Sequence, residues 1–260
     1  MRRILVHPGF HKTGTTTLQE TLRINRDLLD PHVELHLARD IPQMLLAGAA
    51  KEFSAARGKE TRAIVATEAT EFFDDLDRDD PRPILLSNES LSGYGIGYKR
   101  VFHYAAAPVV LKELHNAWQS VMGKTAPFEI YFSTRRTGWL ASCYWQRLKK
   151  DRYRVSYAQF MERYQTAADH AAVIDDTRNR LPEVPITHCD VADAGHPVRP
   201  VLAQLGLAPL FEALHLPENE NTYPGGDARE RLHALNCAPI FGPAYWAQKR
   251  AIINGDTSKD

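Results

Sequence analysis

Ile4-Leu5-Val6-His7-Pro8-Gly9-Phe10-His11-Lys12-Thr13-Gly14-Thr15-Thr16-Thr17-Leu18-Gln19 decides how this chain is organised. The apolar run Ile4-Leu5-Val6 reads as a buried strand, Gly9 and Gly14 punctuate a turn, and the threonine run opens an amphipathic helix. Such a turn leaves several backbone N–H groups unpaired and aimed at one spot. The helix dipole adds partial positive charge there, so the spot attracts an anion of the phosphate kind. Lys12 adds a full positive charge, and Thr15, Thr16 and Thr17 add hydroxyl donors.

The turn is not a Walker A loop, which reads G-x-x-x-x-G-K-[ST]. Here Lys12 precedes Gly14, and Gly9 and Gly14 are followed by Phe10 and Thr15. The Mg²⁺-binding logic of a nucleoside triphosphatase is therefore not met.

Outward from the turn, strand and helix signals alternate. Residues 3–7 are predicted as strand and 14–29 as one helix, with Leu18, Leu22 and Leu29 at roughly helical spacing. Val33–Leu37 alternates like a strand, and helices are expected near 40–53 and 59–76. Pro83–Ser87 reads as a central strand and leads into Asn88-Glu89-Ser90-Leu91-Ser92-Gly93. The tract Gly93–Tyr98 reads as flexible and aromatic. A helix over about 106–122, a strand over 128–133 and a helix from about 138 to 150 follow. Helices are expected through much of 156–180, a short last strand at Pro185–His188, and a non-helical stretch from Pro217 to Gly226. Alternating strands and helices imply a parallel sheet covered on both faces, with ligands beyond the carboxyl ends of the strands. Three polar clusters fall at such ends: the first turn, Ser87–Gly93, and Arg135-Arg136.

The whole chain, 1–260, reads as a single α/β domain with a helical and loop part from about 190. At 260 residues it can bury about three quarters of its unfolded surface and needs no disulfide to fold. Zero formal net charge disfavours a general nucleic-acid or anionic-membrane surface. Cys143, Cys189 and Cys237 are widely spaced with no C-x-x-C pair, as expected of reduced thiols in a cytoplasm. The three apolar residues before His7 are too few for a signal peptide, and no run approaches a spanning helix. No metal-ligand spacing is evident. His188-Cys189-Asp190 are adjacent on a strand end and point to opposite faces.

The order His11-Lys12-Thr13-Gly14-Thr15-Thr16-x-Leu18-Gln19 after a first strand resembles the 5′-phosphosulfate loop of sulfotransferases that use 3′-phosphoadenosine 5′-phosphosulfate (PAPS), the bacterial branch in particular. Phe132-Ser133-Thr134-Arg135-Arg136-Thr137-Gly138-Trp139-Leu140-Ala141-Ser142 resembles the segment that holds the 3′-phosphate in that family. Its arginine stands one residue nearer the serine than is usual, and Thr137-Gly138 replaces the usual proline. Ser87-Asn88-Glu89 resembles the serine-x-glutamate after a central strand in bacterial members.

The resemblance implies a three-layer P-loop-type α/β fold with a central, mostly parallel sheet, and sulfonyl transfer from PAPS to a hydroxyl on a carbohydrate, lipid or small metabolite. Gly9, Lys12, Thr13, Gly14, Thr15, Thr16 and Thr17 would hold the 5′-phosphosulfate, and Arg135, with Arg136 as its rival, would share the 3′-phosphate with Ser142. Lys12 would neutralise the leaving oxygen and Glu89 would act as general base. His11 would shape the loop or hydrogen-bond the sulfonate; His103 and His115 are rival bases. Tyr94, Tyr98, Phe102 and Tyr104 are candidates for an acceptor wall or for core packing. Asn219–Gly226 is a candidate for a loop closing over the nucleotide or a plain surface turn. An ATP-dependent P-loop-like kinase and a non-catalytic nucleotide-binding module are the alternatives.

Overall fold

The computed structural model describes residues 2–217 and 223–255. In chain order the elements are β1 (Ile4–His7), α1 (Thr15–Ile24), α2 (Arg26–Leu29), β2 (Glu34–Leu37), α3 (Pro42–Ala56), α4 (Lys59–Asp74) and β3 (Ile84–Ser87), then a 3₁₀ turn over Glu89–Ser92. There follow α5 (Ala107–Met122), β4 (Phe128–Thr134), α6 (Trp139–Lys150), α7 (Tyr157–Tyr164), α8 (His170–Arg180), β5 (Ile186–Asp190), α9 (Val198–Leu205), α10 (Ala228–Cys237) and α11 (Gly242–Asn254).

The five strands form one sheet in the order β2-β3-β1-β4-β5, every neighbouring pair parallel. β1 lies at the centre, Ile4 opposite Ile84 on one side and Phe128 on the other. Its residues and those of β3 are all buried, as expected where helices cover both faces. β2 is an edge strand, and its alternation follows: Leu35 and Leu37 are buried, Glu34 and His36 only partly.

The period of two along each strand divides the core into two layers. Ile4, Val6, Ile84, Leu86, Ile130 and Phe132 face a large cluster built from α3, α4, α5, α6 and α8. Leu5, Leu35, Leu37, Leu85 and Tyr131 face a smaller cluster with Leu18 and Leu22 of α1 and Val198, Val201 and Leu202 of α9. Helices, sheet and helices thus make three layers, and the chain from β5 onward is part of them: α9 packs on α1, and α10 on α6.

Three local expectations change. The single helix over 14–29 is two, divided at Asn25. Its side-chain amide donates to Thr21 O at 2.7 Å and to His215 O at 2.7 Å, and its oxygen accepts from His215 N at 2.8 Å. That side chain ties in a segment 190 residues away, a contact invisible to local periodicity. The last strand runs two residues further, to Asp190, because it pairs with β4 through Thr134. The Gly93–Tyr98 tract is packed: Ile96 is buried, and Gly93 seats where a Cβ would lie 2.4 Å from Ser54 Cβ.

Candidate active site

The turn after β1 is sewn to β4. Phe10 N donates to Ser133 O at 3.0 Å and Ser133 N to Gly9 O at 2.9 Å. Gly9 (φ 96°) and Gly14 (φ 86°) occupy the left-handed region that favours glycine. Gly9 is also held by space: a Cβ there would lie 2.9 Å from Glu89 Cβ. Lys12, with φ 65°, adopts the same region without being glycine. Such a backbone costs about 1–3 kcal/mol and persists only where the surroundings enforce it.

No side chain caps α1. Leu18 N donates to Gly14 O at 3.0 Å, and the amides of Thr15, Thr16 and Thr17 have no partner among the described residues. The Lys12 ammonium likewise forms no ion pair among them. Burial, then the nearby Lys149 charge, lowers Lys12 to about 8, so it remains mostly charged at neutral pH. Lys150, also on α6, adds to the same positive field. Lys12 and Arg135 both act on the Cys143 thiol, which burial pushes up to about 12.

Behind the turn runs a buried chain of hydrogen bonds. Gln19 Nε2 donates to Ser87 O at 3.2 Å and lies 3.5 Å from Ser87 Oγ. Ser87 Oγ is 2.8 Å from His7 Nδ1, and His7 Nε2 is 3.0 Å from Ser133 Oγ. Ser133 Oγ is 2.6 Å from Thr13 Oγ1, which donates to Phe10 O at 2.5 Å. The last step fixes the rest. Thr13 spends its proton on Phe10, so Ser133 donates to Thr13, His7 donates from Nε2, and Ser87 donates to Nδ1. His7 is therefore the neutral Nε2–H tautomer, assigned from this network. Burial lowers it to about 4, consistent with that state. The chain locks the ends of β3, β1 and β4 to the turn.

Glu89 opens the 3₁₀ turn after β3, whose start is capped by Asn88 Oδ1 accepting from Ser90 N at 2.9 Å. Gln19 Nε2 donates to Glu89 Oε2 at 3.0 Å. Burial alone would raise the Glu89 carboxyl. His11, its own backbone N–H, Gln19 and His7 outweigh that, and the carboxyl sits below its ordinary range, ionised at neutral pH. His11 stacks on Tyr104, with 3.2 Å between Nδ1 and the Tyr104 hydroxyl, and burial lowers it to about 4. Its carbonyl accepts from Trp139 Nε1 at 2.7 Å, which braces the turn against α6.

At the end of β4, Arg135 Nη1 donates to Ser142 Oγ at 3.4 Å, and Arg135 Nε is buried with no partner. Arg136 is engaged elsewhere: its guanidinium grips Asp193 at 2.7 Å and its N–H donates to Asp190 at 2.6 Å. A cavity of about 460 Å³ opens beside Arg135 at the ends of β4 and β5, with His170, His188 and Cys189 in its wall. A second, of about 230 Å³, opens on the far side of the turn at the ends of β2 and β3, lined by Thr16, Gln19 and Glu89 among others.

Several expected residues stand apart. The Thr13 hydroxyl is consumed within the turn. His115 packs on Phe128 from α5, and His103 is exposed in a loop. No aromatic wall forms: Tyr104 is core beside Phe10, Tyr98 lies under Arg147, Tyr94 donates to Glu52, and Phe102 stacks on Tyr164. Of Asn219–Gly226, residues 219–222 lie outside the described residues, and Tyr223 packs against Trp145.

Residue type and spacing assign no role of their own to Gln19, Ser87, Ser133, Lys149 or Lys150, and leave His7 as the last residue of a strand. The available signal was positional: Ser87 ends an apolar strand, as His7 ends β1, Ser133 is the penultimate residue of another, and polar residues at such ends converge. No family model matches the chain, and no curated protein or solved structure matches it either.

Proposed function

We propose that this protein is a PAPS-dependent sulfotransferase that transfers a sulfonyl group to a hydroxyl acceptor. The observation that carries the reading is the convergence at the sheet's carboxyl edge of three groups. They are an uncapped helix start beside an unpaired Lys12, the Arg135–Ser142 pair with its orphaned guanidinium nitrogen, and an ionised Glu89. A nucleotide carrying a 5′-phosphosulfate and a 3′-phosphate has anions to match the first two. PAPS, when bound, supplies the activated sulfonyl group. The donors present fit it: free amides at α1, an ammonium, and a guanidinium able to take phosphate in a fork.

In this reading Lys12 and the Thr15–Thr17 amides stabilise the negative charge that develops on the bridging oxygen as its bond to sulfur breaks. Glu89 accepts the acceptor's hydroxyl proton as the new oxygen–sulfur bond forms. Gln19 holds the carboxylate toward that proton. Adenosine 3′,5′-bisphosphate leaves.

Calorimetric titration with adenosine 3′,5′-bisphosphate, against ATP with Mg²⁺, tests the reading. Micromolar binding of the bisphosphate, weakened sharply in Arg135→Ala, and no ATP binding are expected. ATP binding in its place would make the protein kinase-like. Binding without transfer to any acceptor would make it a nucleotide-binding module.

A further inference from the structure

The acceptor side of the site carries its own chemical signature. The turn after β1 divides the carboxyl edge of the sheet into two halves. Arg135 and Ser142 stand on the β4–β5 half, and Glu89 borders the cavity on the β2–β3 half. If the nucleotide's 3′-phosphate lies at Arg135, the cavity beyond Glu89 is where an acceptor hydroxyl meets the base.

That cavity has an almost wholly polar wall: Ala38 is the one apolar residue among those lining it. Thr16 Oγ1, Ser90 Oγ and Gln19 Oε1 have no hydrogen-bond partner among the described residues, so donors and acceptors are left on several sides. A phenol or an alkyl chain would strand these groups unpaired, whereas a ring of hydroxyls satisfies them. At about 230 Å³ the cavity has room for a single small ring.

Charge narrows the class. Of its two arginines, Arg23 is matched by Glu20 at 2.5 Å. Arg39 forms no ion pair among the described residues, and its neighbour Asp40 is taken by Arg26 at 3.1 Å. A guanidinium without a carboxylate, at the rim of a polar cavity, suits a negatively charged substituent on the occupant.

We propose that the acceptor is a small polyhydroxylated molecule bearing one carboxylate or phosphate, seated between Thr16, Gln19, Asn88 and Glu89 with its anionic group on Arg39. The proposal rests on the sulfotransferase reading and adds the acceptor class to it.

Binding tests it without turnover. Protein saturated with adenosine 3′,5′-bisphosphate is titrated with glucuronate, glucose and 4-nitrophenol, observed by saturation-transfer NMR; the bisphosphate titration itself reports on the transferase reading. Glucuronate is expected to bind at least tenfold more tightly than glucose, and the phenol not at all. Arg39→Ala should bring glucuronate down to the level of glucose while leaving bisphosphate affinity unchanged. Normal bisphosphate binding with no glucuronate binding, with preference for the phenol, or with a glucuronate-to-glucose ratio untouched by Arg39→Ala overturns the proposal and leaves the transferase reading standing. Failure of the bisphosphate to bind removes both. Arg39→Lys keeps the charge but not the fork and should recover part of the preference.

Discussion

α1 and α6 begin alike and are held differently. Each follows a strand through a glycine in left-handed conformation, Gly14 at φ 86° and Gly138 at φ 69°, and neither has a side-chain cap. Around Gly14 space is closed: a Cβ would lie 2.9 Å from Pro197 Cγ. Around Gly138 nothing lies within 4 Å. The first turn is a buried cradle, fixed by the His7 network, by Glu89 against Gly9 and by Pro197. The second is an open corner, anchored by Arg136 on Asp190 and Asp193, while Arg135 touches only Ser142 and keeps its Nε unpaired. Rigidity at the cradle suits charge stabilisation, where a donor must already be in place. In the proposed transferase, availability at the corner would suit holding a phosphate that arrives from solvent.

The difference can be broken from either end. Lys12→Ala strikes the cradle's charge and should lower transfer by about a hundredfold or more, with the melting temperature nearly unchanged. Retained transfer would show that the cradle does not act on the leaving oxygen. Glu89→Gln keeps the shape and the Gln19 contact but removes the base; transfer should fall by about 10²–10⁴-fold while bisphosphate affinity holds.

At the corner, Arg135→Ala should weaken bisphosphate binding by about tenfold or more, the scale of one lost charge-assisted pair. Arg136→Ala should leave affinity nearly as it was and cost at most about 1 kcal/mol of stability, because its guanidinium pairs with Asp193 at the surface and the hydrogen bond to buried Asp190 comes from a backbone N–H that alanine keeps. Equal effects of the two would erase the distinction. Chemical denaturation of Gly14→Ala and Gly138→Ala sharpens it further. Each pays about 1–2 kcal/mol for a non-glycine left-handed residue, and Gly14→Ala loses more because the Pro197 ring must move.

Proton linkage gives the smallest effect. The unfolded Lys12 titrates near 10.5 and the folded one near 8, so the folded form sheds its proton first. Bisphosphate binding favours the charged lysine; it should therefore take up protons near pH 8, and affinity should decline as pH rises through that value. His7 and His170 have the same sign at lower pH. Burial lowers both from 6.5 to about 4, so the unfolded chain binds more protons between those values. Stability should fall as pH drops from about 6.5 toward 4 and level off below, as read by denaturation at stepped pH. For His7 the cause is its complete burial behind the turn, which the nearby Glu89 carboxylate only partly offsets.

Much of the frame was legible because it is written in short-range patterns. Ile4-Leu5-Val6 and Ile84-Leu85-Leu86 are continuous apolar runs because helices cover both faces of the sheet, and Glu34-Leu35-His36-Leu37 alternates because it is an edge. Helix starts at Thr15 and Trp139 follow glycines. The break at Asn25 was hidden because its cause is His215, far along the chain.

The candidate site divides in the same way. From the chain alone Gly9, Lys12 and Gly14 read as a positively charged turn ahead of a helix, since turn, dipole and charge all lie within a few residues. The chain alone also has polar residues following three apolar strands. That Arg136 is engaged and Arg135 is not lies beyond spacing, because the carboxylates that hold Arg136 arrive with the end of β5, 54 residues on. Only the fold joined Gln19, Ser87, His7, Ser133 and Thr13 into one network and set Glu89 against Gly9. Hydrogen bonds reach about 3 Å, and which atoms come that close is settled by strand order rather than by spacing along the chain.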